Sequence, residues 1–228
     1  MATIGDNLAR IKERMVAAAR RAGRDPESVR LVAVSKTVAP AAVKEARAAG
    51  QLLFGENYLQ EAQEKINSLG PGLAWHFIGH LQTNKAKQAA GLFSMIETVD
   101  RLKLARALDA HLAATGRRLP VLIQVNVGRE PQKAGVLPEQ AGELLREMKG
   151  LAHLEVRGLM TMPPFFDQPE AARPFFRALR QMALELAVQG LLGPGPVELS
   201  MGMSGDFEVA IEEGATLVRV GTALFGRR

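Results

Sequence analysis

Eight short apolar runs, alternating with stretches of helical spacing, recur along this 228-residue chain and leave few folds open to it. They occupy residues 31–35, 52–55, 74–78, 94–99, 119–127, 154–160, 197–200 and 216–220. The clearest, Leu31-Val32-Ala33-Val34, is apolar throughout, the pattern of a strand covered on both faces. Between the runs, apolar spacing and Pro or Gly punctuation predict helices over about 40–50, 57–68, 83–90, 102–112, 138–149, 169–189 and 207–213. One more helix leads the chain: Leu8, Ile11 and Met15 share a face, and Gly23 ends it. Strand–helix alternation implies parallel strands joined by crossover helices. The predicted fold is therefore α/β: a single (β/α)8 TIM barrel over residues 1–228 with an extra N-terminal helix. The rival, an open doubly wound sheet, lacks a Gly-x-Gly-x-x-Gly after its first strand.

Composition narrows the chemistry. The absence of cysteine excludes disulfides, thiolate metal sites and a Cys nucleophile. No apolar run is long enough to span a bilayer. The start, Met1-Ala2-Thr3-Ile4-Gly5-Asp6, has no signal-peptide pattern, so a cytoplasmic location is expected. The net charge of +5 raises the possibility of nucleic acid as a partner. The Arg and Lys residues, however, are spread along helices without interleaved aromatics, which reads as a solvated basic surface.

The first run ends in Ser35-Lys36-Thr37. A lysine there either snorkels to water or is a desolvated amine able to condense with an aldehyde. Parallel barrels gather their chemistry at the C-terminal ends of the strands. Those ends carry Lys36, Asn57, Gly79 with His80, Thr98 with Asp100, Asn126, Met160 with Thr161, Ser200 to Ser204, and Arg219 with Gly221 and Thr222. Asn57 and Thr83 read equally as helix caps, and His80 as either a ligand contact or a backbone hydrogen-bonder. The last two loops are more specific. Ser200-Met201-Gly202-Met203-Ser204-Gly205-Asp206 and Arg219-Val220-Gly221-Thr222 supply hydroxyls, glycines and a cation where such barrels build phosphate sites. In a closed barrel the first and eighth strands are neighbours. An aldehyde with a phosphate arm would be held at both ends, and pyridoxal 5'-phosphate (PLP) fits that description.

The motifs behind this reading resemble the PLP homeostasis protein family, also called the YggS or proline synthase co-transcribed family. The resemblance rests on Val32-Ala33-Val34-Ser35-Lys36-Thr37, Phe54-Gly55-Glu56-Asn57-Tyr58 and Trp75-His76-Phe77-Ile78-Gly79-His80-Leu81-Gln82-Thr83-Asn84-Lys85. It continues through Arg157-Gly158-Leu159-Met160-Thr161-Met162, Leu199-Ser200-Met201-Gly202-Met203-Ser204 and Val218-Arg219-Val220-Gly221-Thr222-Ala223-Leu224-Phe225-Gly226. It implies a fold like the N-terminal barrel of alanine racemase and a Schiff base between PLP and Lys36. It further implies that Ser200, Gly221 and Thr222 hold the phosphate with Ser204 nearby. Arg219 would face the pyridine nitrogen and Asn57 would line the pocket. A monomer is implied, with PLP-requiring apoenzymes as partners. Two positions depart from the family pattern: Ala215 replaces a common Ser, and Met162-Pro163 replaces the more usual Ile-Ala.

The expected function is storage, buffering or delivery of PLP within the cell, without substantial turnover. The alternative is a PLP-dependent racemase or decarboxylase of the same fold. Arg219 has no acceptor for a protonated ring nitrogen, which weakens PLP as an electron sink. Alanine racemases share such an arginine but add a tyrosine base from a further domain. This sequence stops at Arg228, and its one tyrosine, Tyr58, does not match that position. A nucleic-acid module is the third reading, and it lacks stacking platforms.

Overall fold

The computed structural model describes residues 2–226, so Met1, Arg227 and Arg228 of the expected 1–228 unit lie outside the described residues. Helix α1 (Ile4–Arg21) leads, opened by a capping box in which the Asp6 N–H donates to Thr3 Oγ1 and the Thr3 N–H to the Asp6 carboxylate. It buries Leu8, Ile11, Met15, Ala18 and Ala19, which contains the predicted stripe. Strand–helix units follow: β1 (Arg30–Val34) and α2 (Pro40–Ala48), β2 (Leu53–Glu56) and α3 (Leu59–Leu69), β3 (Ala74–Phe77) and α4 (Ala86–Leu92). Next come β4 (Met95–Val99) and α5 (Leu102–Thr115), β5 (Leu119–Gln124) and α6 (Ala141–Met148), β6 (Leu154–Met160) and α7 (Arg173–Val188). The last units are β7 (Glu198–Ser200) with α8 (Phe207–Glu212) and β8 (Leu217–Val220) with the single-turn α9 (Thr222–Phe225).

Each strand pairs in parallel with its neighbours in sequence, and β8 closes on β1 with Arg30 opposite Leu217 and Ala33 opposite Val220. The predicted eight-stranded barrel is the observed one. Alternate strand residues face opposite ways. Val32, Met95, Leu122, Met160 and Leu217 pack together inside the barrel, while their neighbours Leu31, Ala33, Ile96, Val121, Leu159 and Val218 join the core under the helices. Two buried faces explain why the runs are apolar without alternation.

The boundaries differ where local polar groups capture the backbone. The fifth strand was expected to reach residue 127 and ends at Gln124. Beyond it Val125 bridges Val136, and Asn126 Nδ2 donates to the carbonyls of Glu130 (2.8 Å) and Lys133 (3.3 Å), folding the loop back on itself. The helices expected from residues 83, 138 and 169 each open with a 3-10 turn before α4, α6 and α7 begin. Helix α9 was not foreseen.

The spread of basic residues also finds its reason. Arg14, Arg21, Arg173 and Arg177 pair with Glu208, Glu212 and Glu213 on and just after α8, stitching helices of the outer ring together. No helix among the described residues is long and apolar enough to cross a membrane.

Candidate cofactor site

At the C-terminal mouth of the barrel, the loops after β1, β2, β6, β7 and β8 enclose a cavity of about 300 Å³. Its wall includes Lys36, Asn57, Ser204, Arg219, Gly221 and Thr222, all singled out from the sequence. Val34 and Ile78 line it from the barrel side, and Met162, Pro164, Phe165 and Phe166 from the loop after β6.

Lys36 is the second residue past β1. It occupies a tight turn closed by the Val38 N–H donating to Ser35 O at 3.0 Å. Thr37 in that turn has φ +58°, a left-handed conformation that a β-branched residue adopts at a cost of about 1–3 kcal/mol. Among the described residues, no hydrogen bond or ion pair engages the Lys36 amine. Its flanking peptides, by contrast, are held. Ser35 O accepts from Lys65 Nζ (2.5 Å), and the Thr37 N–H donates to Glu61 Oε1 (2.5 Å). Lys65 Nζ also donates to Glu61 Oε1 (2.6 Å) and Glu56 Oε1 (2.8 Å), and Ser35 Oγ donates to that same Glu56 oxygen (2.6 Å). Burial pushes the Glu56 carboxyl above its ordinary range, against the pull of Lys65 and Ser35.

The loops after β7 and β8 bring hydroxyls and backbone N–H groups to the same cavity. Gly221 is the N-cap of α9, and Thr222 is its first residue. The Ala223 N–H donates to Ser204 Oγ at 3.3 Å, which places that hydroxyl beside the turn. Helix N-terminal amides favour negative charge. The adjoining loop is shaped by Asp206, whose Oδ1 accepts from the Met203 N–H at 2.6 Å. Burial raises the Asp206 carboxyl, opposed by that N–H and by Arg219.

Arg219 enters from the barrel interior, 3% exposed. Its Nη1 donates to Ser200 Oγ (2.5 Å) and its Nη2 to Thr161 O (2.7 Å). Ser200 Oγ donates in turn to Glu97 Oε2 (2.5 Å), while Glu97 Oε1 lies 2.6 Å from His76 Nδ1. Burial lowers Arg219 from the ordinary guanidinium value, with Glu97 and Asp206 opposing. Burial would raise Glu97, yet His76, Arg219 and Ser200 together hold it below the usual carboxylate range.

An unengaged amine at one end and an anion cradle at the other fit an aldehyde carrying a phosphate. Asn57 also lines the cavity, and among the described residues its buried Oδ1 has no partner, which leaves an acceptor for a ligand or a water.

Known proteins resemble this chain over nearly its whole length. The profile of the alanine racemase N-terminal domain family matches residues 7–228. The pyridoxal phosphate homeostasis protein of Pseudomonas aeruginosa is 47% identical over 229 residues, spanning 100% of this chain and 97% of that protein. That of Aquifex aeolicus is 45% identical, spanning 98% of this chain and 97% of its own. This chain belongs to the pyridoxal phosphate homeostasis protein family. PipY of Synechococcus elongatus PCC7942, solved with PLP bound, is 42% identical with a TM-score of 0.82, covering 95% of this chain and 100% of PipY.

Some residues expected at the mouth of this family barrel are used otherwise. Ser200, expected on the phosphate, is fully buried between Glu97 and Arg219 and is not part of the cavity wall. Thr98 Oγ1 donates to Gly79 O (2.6 Å) and Thr161 Oγ1 to Val125 O (2.8 Å), pinning backbone that leaves the sheet ladder. His80 is 57% exposed in a neighbouring groove with Tyr58 and Lys85, its Nδ1 3.9 Å from Asp100 Oδ2. Asp100 does not cap α5, whose N-cap is Arg101; its Oδ1 accepts from Arg101 Nη1. Asn57 does not cap α3, which starts after Tyr58 without a side-chain cap.

The groups that sequence reasoning missed are Glu56, Glu61, Lys65, His76, Glu97 and Asp206. Two left a signal. Lys65 falls on the buried α3 face between Ala62 and Leu69, and Glu97 interrupts the apolar run of β4. A charge at a core position is paired or functional. Of the two departures from the family pattern, Ala215 is fully buried with its N–H donated to Ala210 O and its carbonyl taken by Arg24 Nη1, so the missing hydroxyl leaves no backbone group unpaired. Met162 lines the cavity itself.

Proposed function

We propose that this chain binds PLP reversibly and stores, buffers or delivers it, with PLP-requiring apoenzymes as recipients, and does so in the cytoplasm as a monomer. The observation that carries the reading is one cavity bounded by the unengaged Lys36 amine and the Ser204, Gly221 and Thr222 anion cradle. When bound, PLP supplies an aldehyde that condenses with amines and a ring that withdraws electrons. Lys36 is the amine that captures the aldehyde. Gly221, Thr222 and Ser204 hold the phosphate. Met162 and Phe166 exclude water along the apolar side. Arg219 faces the ring nitrogen, and as a donor-only cation it keeps that nitrogen unprotonated.

The same wall supports a carrier over an enzyme. Its titratable side chains are Lys36, Asp206 and Arg219, with no histidine or tyrosine among them. Tyr58 lies 58% exposed in the adjoining groove. Beside Lys36, the base candidate on that wall is Asp206, whose Oδ1 is already taken by the Met203 N–H; without a positioned second base, proton exchange at an amino-acid α-carbon slows by about 10²–10⁴-fold.

Borohydride treatment of the PLP-loaded protein should fix a pyridoxyl group on the peptide containing Lys36. Label on a different lysine would refute the assignment. Incubation with L-alanine in D₂O should show α-proton exchange far below the typical enzyme turnover of about 10 s⁻¹, and turnover near that value would establish an enzyme instead.

A further inference from the structure

The geometry points to Glu61, Lys65 and Glu56 as positioning residues that clamp the turn around Lys36 and so present its amine to the cavity already oriented. This rests on the reading of Lys36 as the PLP-capturing amine.

The clamp grips both neighbours of Lys36 and leaves Lys36 free. Lys65 Nζ holds the carbonyl before it, at Ser35, and Glu61 Oε1 holds the N–H after it, at Thr37. Glu56 and Glu61 are bridged by Lys65 Nζ, so the groups on the two sides of the turn form one connected cluster. The turn itself is one the chain would not adopt unaided, because Thr37 sits at φ +58°. Such a conformation persists only where surrounding contacts over-determine it, and here those contacts come from charged side chains of β2 and α3.

Stability alone does not account for the cluster. Lys65 is 2% exposed and Glu56 fully buried. Replacing buried ion pairs with apolar residues of similar volume is often neutral or stabilising, and α3 already buries Ala62 and Leu69 on either side of Lys65. What an apolar side chain at 65 lacks is a donor for Ser35 O. The cluster also separates the two nearby amines chemically. Lys65 is committed to two carboxylates and a carbonyl, whereas among the described residues no partner engages the Lys36 amine. The aldehyde therefore meets one available amine.

The test compares Glu61→Ala, Glu61→Gln and Lys65→Met with the native full-length protein. Pyridoxine 5'-phosphate carries a hydroxymethyl group in place of the aldehyde and reads the cavity alone, while the rate of the borohydride-trappable PLP adduct reads Lys36. Glu61→Ala should raise hydrogen exchange at the Thr37 amide and slow adduct formation by about tenfold or more, with pyridoxine 5'-phosphate affinity unchanged within about twofold. Glu61→Gln keeps an acceptor oxygen and should restore most of both. Lys65→Met preserves volume and should show the same split, which covers the case in which Glu61→Ala does not fold. An unchanged adduct rate, or equal weakening of both ligands, would overturn the clamp. If the native protein forms its PLP adduct elsewhere, the reading of Lys36 fails on its own. The clamp is then judged on the ligand-free protein by Thr37 exchange and by acetylation of Lys36 with acetic anhydride. Both should change in Glu61→Ala, and if neither does the inference is refuted.

Discussion

Under the proposed function, Thr222 and Lys36 divide the binding of PLP between a non-covalent and a covalent contact. Thr222→Val keeps the shape of the first residue of α9 and deletes a hydrogen bond to a charged group, worth roughly 1.5–3 kcal/mol. PLP affinity should fall about ten- to hundredfold, read by equilibrium titration of the visible spectrum. Pyridoxal, without the phosphate, should bind native protein much more weakly than PLP, and equal affinities would remove the anion cradle from the account. Lys36→Ala should abolish borohydride-stable labelling while leaving weaker, phosphate-dependent binding. The motifs singled out both residues in the sequence, and both line the same cavity. Ser200, the last residue of β7, is engaged inside the barrel, an arrangement that the spacing of hydroxyls and glycines around it does not show. Its side chain points into the barrel beside Glu97 and Arg219 rather than up to the mouth.

Among elements, the β7–α8 loop gives the anion end its shape. Gly202 has φ +89°, and a Cβ there would lie 2.5 Å from Ala210 Cβ and 2.9 Å from Phe207 Cα. Its carbonyl accepts from the Arg219 N–H at 3.0 Å, tying this loop to β8. Gly202→Ala should destabilise the fold by roughly 1–3 kcal/mol from backbone strain alone, with more from the contact, measured by urea denaturation. PLP binding should weaken alongside, because Ser204 rides on the same loop. Helix and strand existence was read correctly in this region, but α9 was not foreseen. Four residues after a strand show too little periodicity to register as a helix.

For the whole molecule, acid is the revealing variable. Glu97, Glu212 and Glu213 are all held below the ordinary carboxylate value of 4.5, Glu97 by His76, Arg219 and Ser200, and the other two by paired arginines. Below that value the unfolded chain binds more protons than the folded one, so their contribution is present above pH 4.5 and is lost as pH falls through the depressed folded values. Denaturant unfolding at several pH values should show stability dropping steadily under acid. Glu97→Gln should flatten part of that fall. It should also lower stability at pH 7, since His76 and, through Ser200, Arg219 then lose a buried carboxylate. A stability independent of acid would contradict the assigned network.

The sequence by itself determined the barrel and its leading helix, and it marked a lysine after the first strand and the hydroxyl- and glycine-rich loops after the last two, which meet in one cavity. Each of these is written locally, in the period of apolar residues or in a short run of glycines and hydroxyls around a charge. Tertiary structure decided which polar groups meet. Glu97 reaches Ser200 across the barrel interior, and Lys65 on α3 reaches back to Ser35 after β1. Contacts between residues 103 and 30 positions apart depend on strand register and barrel closure. A buried charge in a single sequence shows only that a partner is required, and the fold supplies which one.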